Sequence, residues 1–238
     1  MKLLPAKCIG TLVSLLMTSF APGAAIIFDN FNVDEGHFTR EPTFSGSTTN
    51  VLTTSTADRV TDEFPFEPGQ EKLVINQANP GATRVRFLSG TGTPANNVAF
   101  TTTSGIDGWI GFYLRTDTAG WTTQLVLETT AETNGGVPKD VIADGQWHLY
   151  EWNLDDETGG PDGWGSVPGI FNGDADFEDG SYTIDSIILR GPDVPTSTLY
   201  LDFVAKNDAG SVADLVPEPS AFSMTAVGLI GFVRRRSI

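Results

Sequence analysis

The sequence predicts an all-β fold: an antiparallel two-sheet jelly-roll sandwich, flanked by an N-terminal signal helix and a short C-terminal hydrophobic helix. Three observations predict it. Between Ile26 and Val216 no 3.6-residue apolar periodicity is sustained, so no long amphipathic helix is encoded. Short runs rich in Val, Ile, Phe, Tyr and Thr recur instead, each of strand length. The 26 glycines and 14 prolines fall mainly between those runs, where turn residues belong.

Taken in order, residues 1–25 read as a secretory signal peptide. Lys2 and Lys7 form a short positive region, an apolar stretch follows to Phe20, and Gly23-Ala24-Ala25 is a small-residue cleavage site. The apolar stretch is too short to cross a bilayer about 30 Å thick as a helix. Residues 26–206 carry the sandwich, with strands expected at 26–31, 72–76, 83–88, 97–102, 108–116, 122–129, 147–154, 183–189 and 198–205. Residues 207–215 read as a linker, and 216–238 as a separate tail.

Charge narrows the function. The formal net charge is −16, and five of the 14 basic residues lie near the two ends, which leaves the middle strongly acidic. Such a surface disfavours nucleic acid, whose binding requires a basic face. Cys8 is the single cysteine and lies inside the signal segment. After cleavage no thiol remains for a disulfide, a nucleophile or a metal thiolate.

Side-chain alternation assigns faces to the strands. In GWIGFYLRT, Ile110, Phe112 and Leu114 share one face while Trp109, Tyr113 and Arg115 share the other. In TTQLVLETT, Leu125 and Leu127 oppose Gln124, Val126 and Glu128. In TRVRFL, Val85 and Phe87 oppose Arg84 and Arg86. A face of rings and charged groups suits a sugar ligand: rings cover the apolar side of a pyranose, and Arg, Gln or Glu bond its hydroxyls. In DGQWHLYEWNLDDETGGPDGW both faces of one strand carry a tryptophan, so one of Trp147 and Trp152 is expected in the core and the other at a ligand. The candidate ligand residues are therefore Trp109, Tyr113, Arg115 and one of Trp147 or Trp152.

That tryptophan strand, followed by YTIDSIILRG and LYLDFVAKND and preceded near the start by IIFDNFNVDEG, resembles the jelly-roll carbohydrate-binding, galactose-binding-like modules. The resemblance implies polysaccharide binding. It also implies a structural calcium held by the final-strand aspartate and an acidic residue near the domain start, here Asp202 with Asp29. A second acidic stretch, NGDADFEDG, does not meet the EF-hand spacing, because Asp179 stands where that loop requires glycine. It is expected as a solvated loop.

No H-E-x-x-H, G-x-S-x-G or P-loop pattern is present. Catalysis would fall to paired carboxylates, and the strand motifs of jelly-roll glucanases and alginate lyases are absent. A carbohydrate-active enzyme using Glu128 or Glu151, or a structural matrix protein without a ligand, are the alternatives to a binding module. No catalytic residue is assigned.

The tail reads VPEPSAFSMTAVGLIGFVRRRSI. Pro217 and Pro219 force extended backbone. An apolar run follows, ended by Arg234, Arg235 and Arg236, a stop-transfer arrangement that keeps the arginines cytoplasmic. Thirteen helical residues reach about 20 Å, short of the hydrocarbon core, so the anchor is strained. Pro-Glu-Pro, apolar helix and basic cluster in that order resemble the PEP-CTERM sorting signal. The resemblance implies recognition of Pro217, Glu218 and Pro219 by an exosortase, transient residence in the inner membrane, and delivery to the cell surface or extracellular matrix.

Overall fold

Each of the nine segments expected as strands forms one in the computed structural model, which describes residues 25–61, 68–79, 83–102, 108–156, 159–165, 177, 180–192 and 194–216. The segments expected as a signal peptide and a sorting tail, the latter with Pro217, Glu218, Pro219, Arg234, Arg235 and Arg236, lie outside the described residues. In chain order the strands are β1 (Ala25–Asp29), β2 (Thr56–Val60), β3 (Gln70–Asn76), β4 (Arg84–Leu88), β5 (Val98–Thr102), β6 (Trp109–Arg115), β7 (Thr122–Glu128), β8 (Thr133–Gly136), β9 (Lys139–Asp140), β10 (His148–Asn153), β11 (Trp164–Gly165), β12 (Gly180–Arg190) and β13 (Thr196–Asn207).

They form two antiparallel sheets. The first runs β10-β6-β13-β3-β2, with β1 beside the far half of β13. The second runs β11-β8-β7-β12-β4, with β5 continuing the β4 edge of β12 and β9 beside β7. The long strands β12 and β13 are the centres of their sheets. Each is 11 or 12 residues long and pairs with two short strands end to end on one edge.

The apolar faces meet between the sheets. Ile110, Phe112 and Leu114 of β6, Leu199 and Leu201 of β13, and Leu73 and Ile75 of β3 face Val85 and Phe87 of β4, Leu125 and Leu127 of β7, and Ile187 and Leu189 of β12. Burying one such side chain stabilises the fold by about 1.5–3 kcal/mol, so this interior does the work that disulfides do in many small domains. Aromatic residues fill one end: Trp152 contacts Phe112 and Trp164, and Trp164 contacts Phe177.

Four strands were not expected. β2 (TADRV) is a polar edge strand, and β8 (TNGG), β9 and β11 are short or glycine-rich. Gly136 of β8 is required by packing, because a Cβ there would lie 2.4 Å from the Trp152 indole. The two acidic loops also anchor more deeply than their composition suggests. Trp164 and Phe177 are both buried in the aromatic cluster, one from each loop.

Residues 207–215, expected as a linker, belong to the domain instead. β13 extends to Asn207, and Val212–Leu215 form a 3-10 turn whose Val212 is fully buried. Glu151 holds that turn: its carboxylate accepts Val212 N–H at 2.8 Å and Ser211 Oγ at 2.9 Å. Asn207 Nδ2 adds a bond to Ser211 O at 2.8 Å. Glu151→Ala is expected to free residues 211–216 and to lower stability by about 1–3 kcal/mol, the penalty for orphaning bonds to a charged group. Hydrogen exchange of the Val212 amide, fast in the variant and slow in the parent, checks it.

Candidate functional site

The outward face of the first sheet is built by register. Arg115 stands opposite Tyr200, Tyr200 opposite Lys72, and Lys72 opposite Asp58, on four adjacent strands. Trp147 immediately precedes β10, whose His148 pairs with Leu114, so it continues the same row beyond Arg115. Adjacent strands are about 4.8 Å apart, close enough for side chains on one row to touch. They do: the Arg115 guanidinium lies 4.2 Å from the Tyr200 ring and 5.2 Å from the Trp147 ring, and Lys72 Nζ lies 6.0 Å from Tyr200.

Beside this row is a depression of about 390 Å³ lined by Lys72, Arg115, Thr116, Asp117, Gly145, Thr198 and Tyr200. Its size is that of a small-ligand site. Thr116 is fixed by donating to Thr198 O at 2.8 Å. Gly145 (φ +73°) takes the left-handed position in the turn that delivers Trp147 to the row. Stacking between two rings restrains the guanidinium, a group that presents donors in a rigid fork.

Above the row the face is closed. The bulge in β13 between Asp202 and Ala205 turns Phe203 outward at φ +50°, where its ring meets Tyr113 at 6.4 Å. Leu149, Val212, Leu215 and Val216 complete an apolar cap over these two. Burial raises the Tyr113 hydroxyl pKa, and the charge of Glu151 adds to it.

The structure therefore divides the expected ligand residues. It brings Arg115 and Trp147 together and adds Tyr200 and Lys72. Tyr113 shares their face but is packed beneath the C-terminal turn. Trp109 lies at the other end of β6, about 20 Å along the strand from Arg115. Trp152 is fully buried with its Nε1 donating to Val137 O at 2.8 Å, so Trp147 is the surface member of that pair. Tyr200 was legible in LYLDF, where it alternates with Leu199 and Leu201, but its neighbours were not.

Neither aspartate of the calcium expectation heads a ligand cluster. Asp29 accepts the His37 N–H at 3.0 Å, and His37 Nδ1 lies 3.1 Å from the same oxygen. Asp202 accepts the Phe203 N–H at 2.6 Å within the bulge. No group of three or more His, Cys, Asp or Glu among the described residues is arranged for a metal, whereas calcium takes six to eight oxygens.

Glu128 and Glu151, the two carboxylates considered for catalysis, do not pair with each other. Glu151 is on the first sheet holding the C-terminal turn. Glu128 is on the second sheet, bonded by Asn97 and within hydrogen-bonding reach of Asp185. Burial first, then the Asp185 charge, push Glu128 up to about 7. Arg86 clamps Asp185 through Nε at 2.8 Å and through Nη2, and Ser186 Oγ adds a bond at 2.6 Å. Carboxylates that bond each other are closer than the roughly 5–9.5 Å needed to flank a glycosidic oxygen.

No family model matches this chain, and no curated protein matches it. Among solved structures it is similar to carbohydrate-binding modules. One is the family 11 module of a cellulosomal cellulase of Clostridium thermocellum, at 10% identity and a TM-score of 0.45, covering 80% of this chain and 98% of the module. The same family's module in complex with a β-1,3-1,4-mixed-linked tetrasaccharide gives 10% identity, a TM-score of 0.44 and coverage of 79% and 97%. A family 29 module gives 8% identity, a TM-score of 0.41 and coverage of 82% and 99%.

Proposed function

We propose that this protein is an exported, non-catalytic polysaccharide-binding module whose ligand surface is the Trp147–Arg115–Tyr200–Lys72 row. The observation that carries the reading is the stacking of a guanidinium between two aromatic rings beside a depression of about 390 Å³. Rings supply apolar area to the faces of sugars, and a restrained fork of N–H donors suits their oxygens. Both demand little ordering when a ligand arrives, and low ordering cost favours affinity.

Titration of the protein with a panel of polysaccharides, followed by tryptophan fluorescence, tests this. Saturable shifts are expected, because Trp147 lies within the row. Tyr200→Ala is expected to weaken binding about tenfold or more, equivalent to about 1.4 kcal/mol. Its unfolding midpoint should match the parent, since Tyr200 is on the outward face. Silence across the panel with the fold intact would sink the reading.

Export and sorting are proposed from the sequence at the two ends. The signal segment directs secretion, the apolar run and Arg234, Arg235 and Arg236 hold the chain briefly in the inner membrane, and an exosortase acts at Pro217, Glu218 and Pro219. Display at the cell surface or in the extracellular matrix places the module among polysaccharides. Mass spectrometry of the protein recovered from its host checks this: removal of both ends is expected, and Glu218→Ala should retain the tail.

A further inference from the structure

We propose that the ligand is an acidic polysaccharide, with the carboxylate of a uronic-acid unit seated between Lys72 and Arg115. This rests on the polysaccharide-binding reading and specifies its ligand class. The argument is an inventory of cations. Nine lysines and arginines lie among the described residues, in a chain with 30 acidic residues. Arg86, Lys139 and Lys206 are paired with Asp185, Asp162 and Asp208. Arg59, Arg84 and Arg40 donate to backbone carbonyls, of Phe31 and Asn32, of Ser47, and of Gly90.

Lys72 and Arg115 do neither. Both line the depression, and among the described residues neither has a carboxylate within 4.0 Å. Arg115 Nε is enclosed without an acceptor. Asp117 lines the same depression and Asp58 stands across from Lys72, yet neither carboxylate closes on a cation. Arg190, on the second sheet, is the one other cation among the described residues without an oxygen partner.

The strands bearing Lys72 and Arg115 flank β13, so their backbones are about 10 Å apart with Tyr200 between them. A sugar laid on this row therefore meets a ring at its centre and a cation on each side. The guanidinium fork matches a carboxylate in shape as well as charge. Neutral glucans would leave both cations unanswered in a desolvated contact, which opposes their binding.

Binding of polygalacturonate, its fully methyl-esterified form, neutral mixed-linkage β-glucan and dextran sulfate to the purified protein separates the outcomes. Polygalacturonate is expected to bind about tenfold or more tightly than the esterified form. Lys72→Met should remove most of that preference while leaving the unfolding midpoint unchanged, and Lys72→Arg should restore it. Equal binding of the free and esterified polymers overturns the inference and leaves the binding module standing. Dextran sulfate binding as tightly as polygalacturonate overturns it too, as charge attraction alone. No binding to any of the four, with saturable binding absent across the wider panel, removes the parent reading as well.

Discussion

The domain is expected to lose stability steadily as pH rises from about 4.5 to 8, and Glu71→Gln is expected to remove most of that loss. Glu71 is on β3 beside Leu73 and Ile75, with no exposed surface and with neither carboxylate oxygen hydrogen-bonded. Burial pushes its pKa from 4.5 up to about 8, helped by the charges of Glu35, Asp58, Glu41 and Asp29. The folded state thus holds a proton that the unfolded state has released over this interval. Stability falls with pH wherever the folded state binds more protons, by about 1.4 kcal/mol per pH unit. Over the whole interval that amounts to about 5 kcal/mol, comparable with the total stability of many domains. Glu128, pushed up to about 7, and Asp29, also raised by burial, act in the same direction. Thermal melts at pH 5 and 8.5 check the sign: the parent should melt markedly lower at 8.5, and Glu71→Gln should close most of the gap. An unchanged melting temperature between the two pH values would show that Glu71 does not keep its proton in the folded state. Calcium-dependent stabilisation that disappears in Glu71→Gln would then identify a cation in the proton's place.

This carboxylate was not legible as a special residue, because GQEKLVINQ shows Glu71 only as one polar position at the start of a strand. The fold was far more legible. β6, β7, β10 and β13 alternate cleanly or carry long runs of β-branched and aromatic residues, and burial of one face imposes that pattern on any strand of a sandwich. β8 and β11 follow a different rule. Gly136 is small so that Trp152 can lie against it, and Trp164 reaches the core from a short bridge inside an acidic loop. Neither requirement produces alternation. The site was half legible for the same reason. Alternation set Arg115 opposite the apolar face of its strand and put Trp147 and Trp152 on opposite faces without saying which was outward, and it cannot say which strands are neighbours. Arg115 and Lys72 meet Tyr200 only because β13 runs between β6 and β3, pairings distant in sequence. Nor can alternation foresee a cover. Tyr113 has the right orientation and is still unavailable, because Glu151 ties the Val212–Leu215 turn over its end of the sheet.

Trp147 and Trp152 offer the sharpest division between function and stability, since they are five residues apart in one segment and face opposite ways. Trp152→Ala is expected to destabilise the domain by about 3–5 kcal/mol or to prevent its folding. The indole is fully buried, contacts Phe112 and Trp164, fills the space left by Gly136, and donates to Val137 O. Truncation leaves a cavity lined by rigid aromatic neighbours and a carbonyl without its donor, so little collapse can relieve the loss. Trp147→Ala removes a partly exposed ring that lies 5.2 Å from the Arg115 guanidinium, a cation–π contact of about 0.5–1 kcal/mol at an exposed site. Its melting temperature should fall far less than that of Trp152→Ala while polysaccharide affinity drops. Urea unfolding and binding titrations on both variants decide the matter. A Trp147→Ala protein that binds as well as the parent would confine the ligand to Tyr200 and Lys72. A Trp152→Ala protein of near-parent stability would mean that the aromatic end of the interior repacks, and that the tight fit at Gly136 is not what holds the two sheets together there.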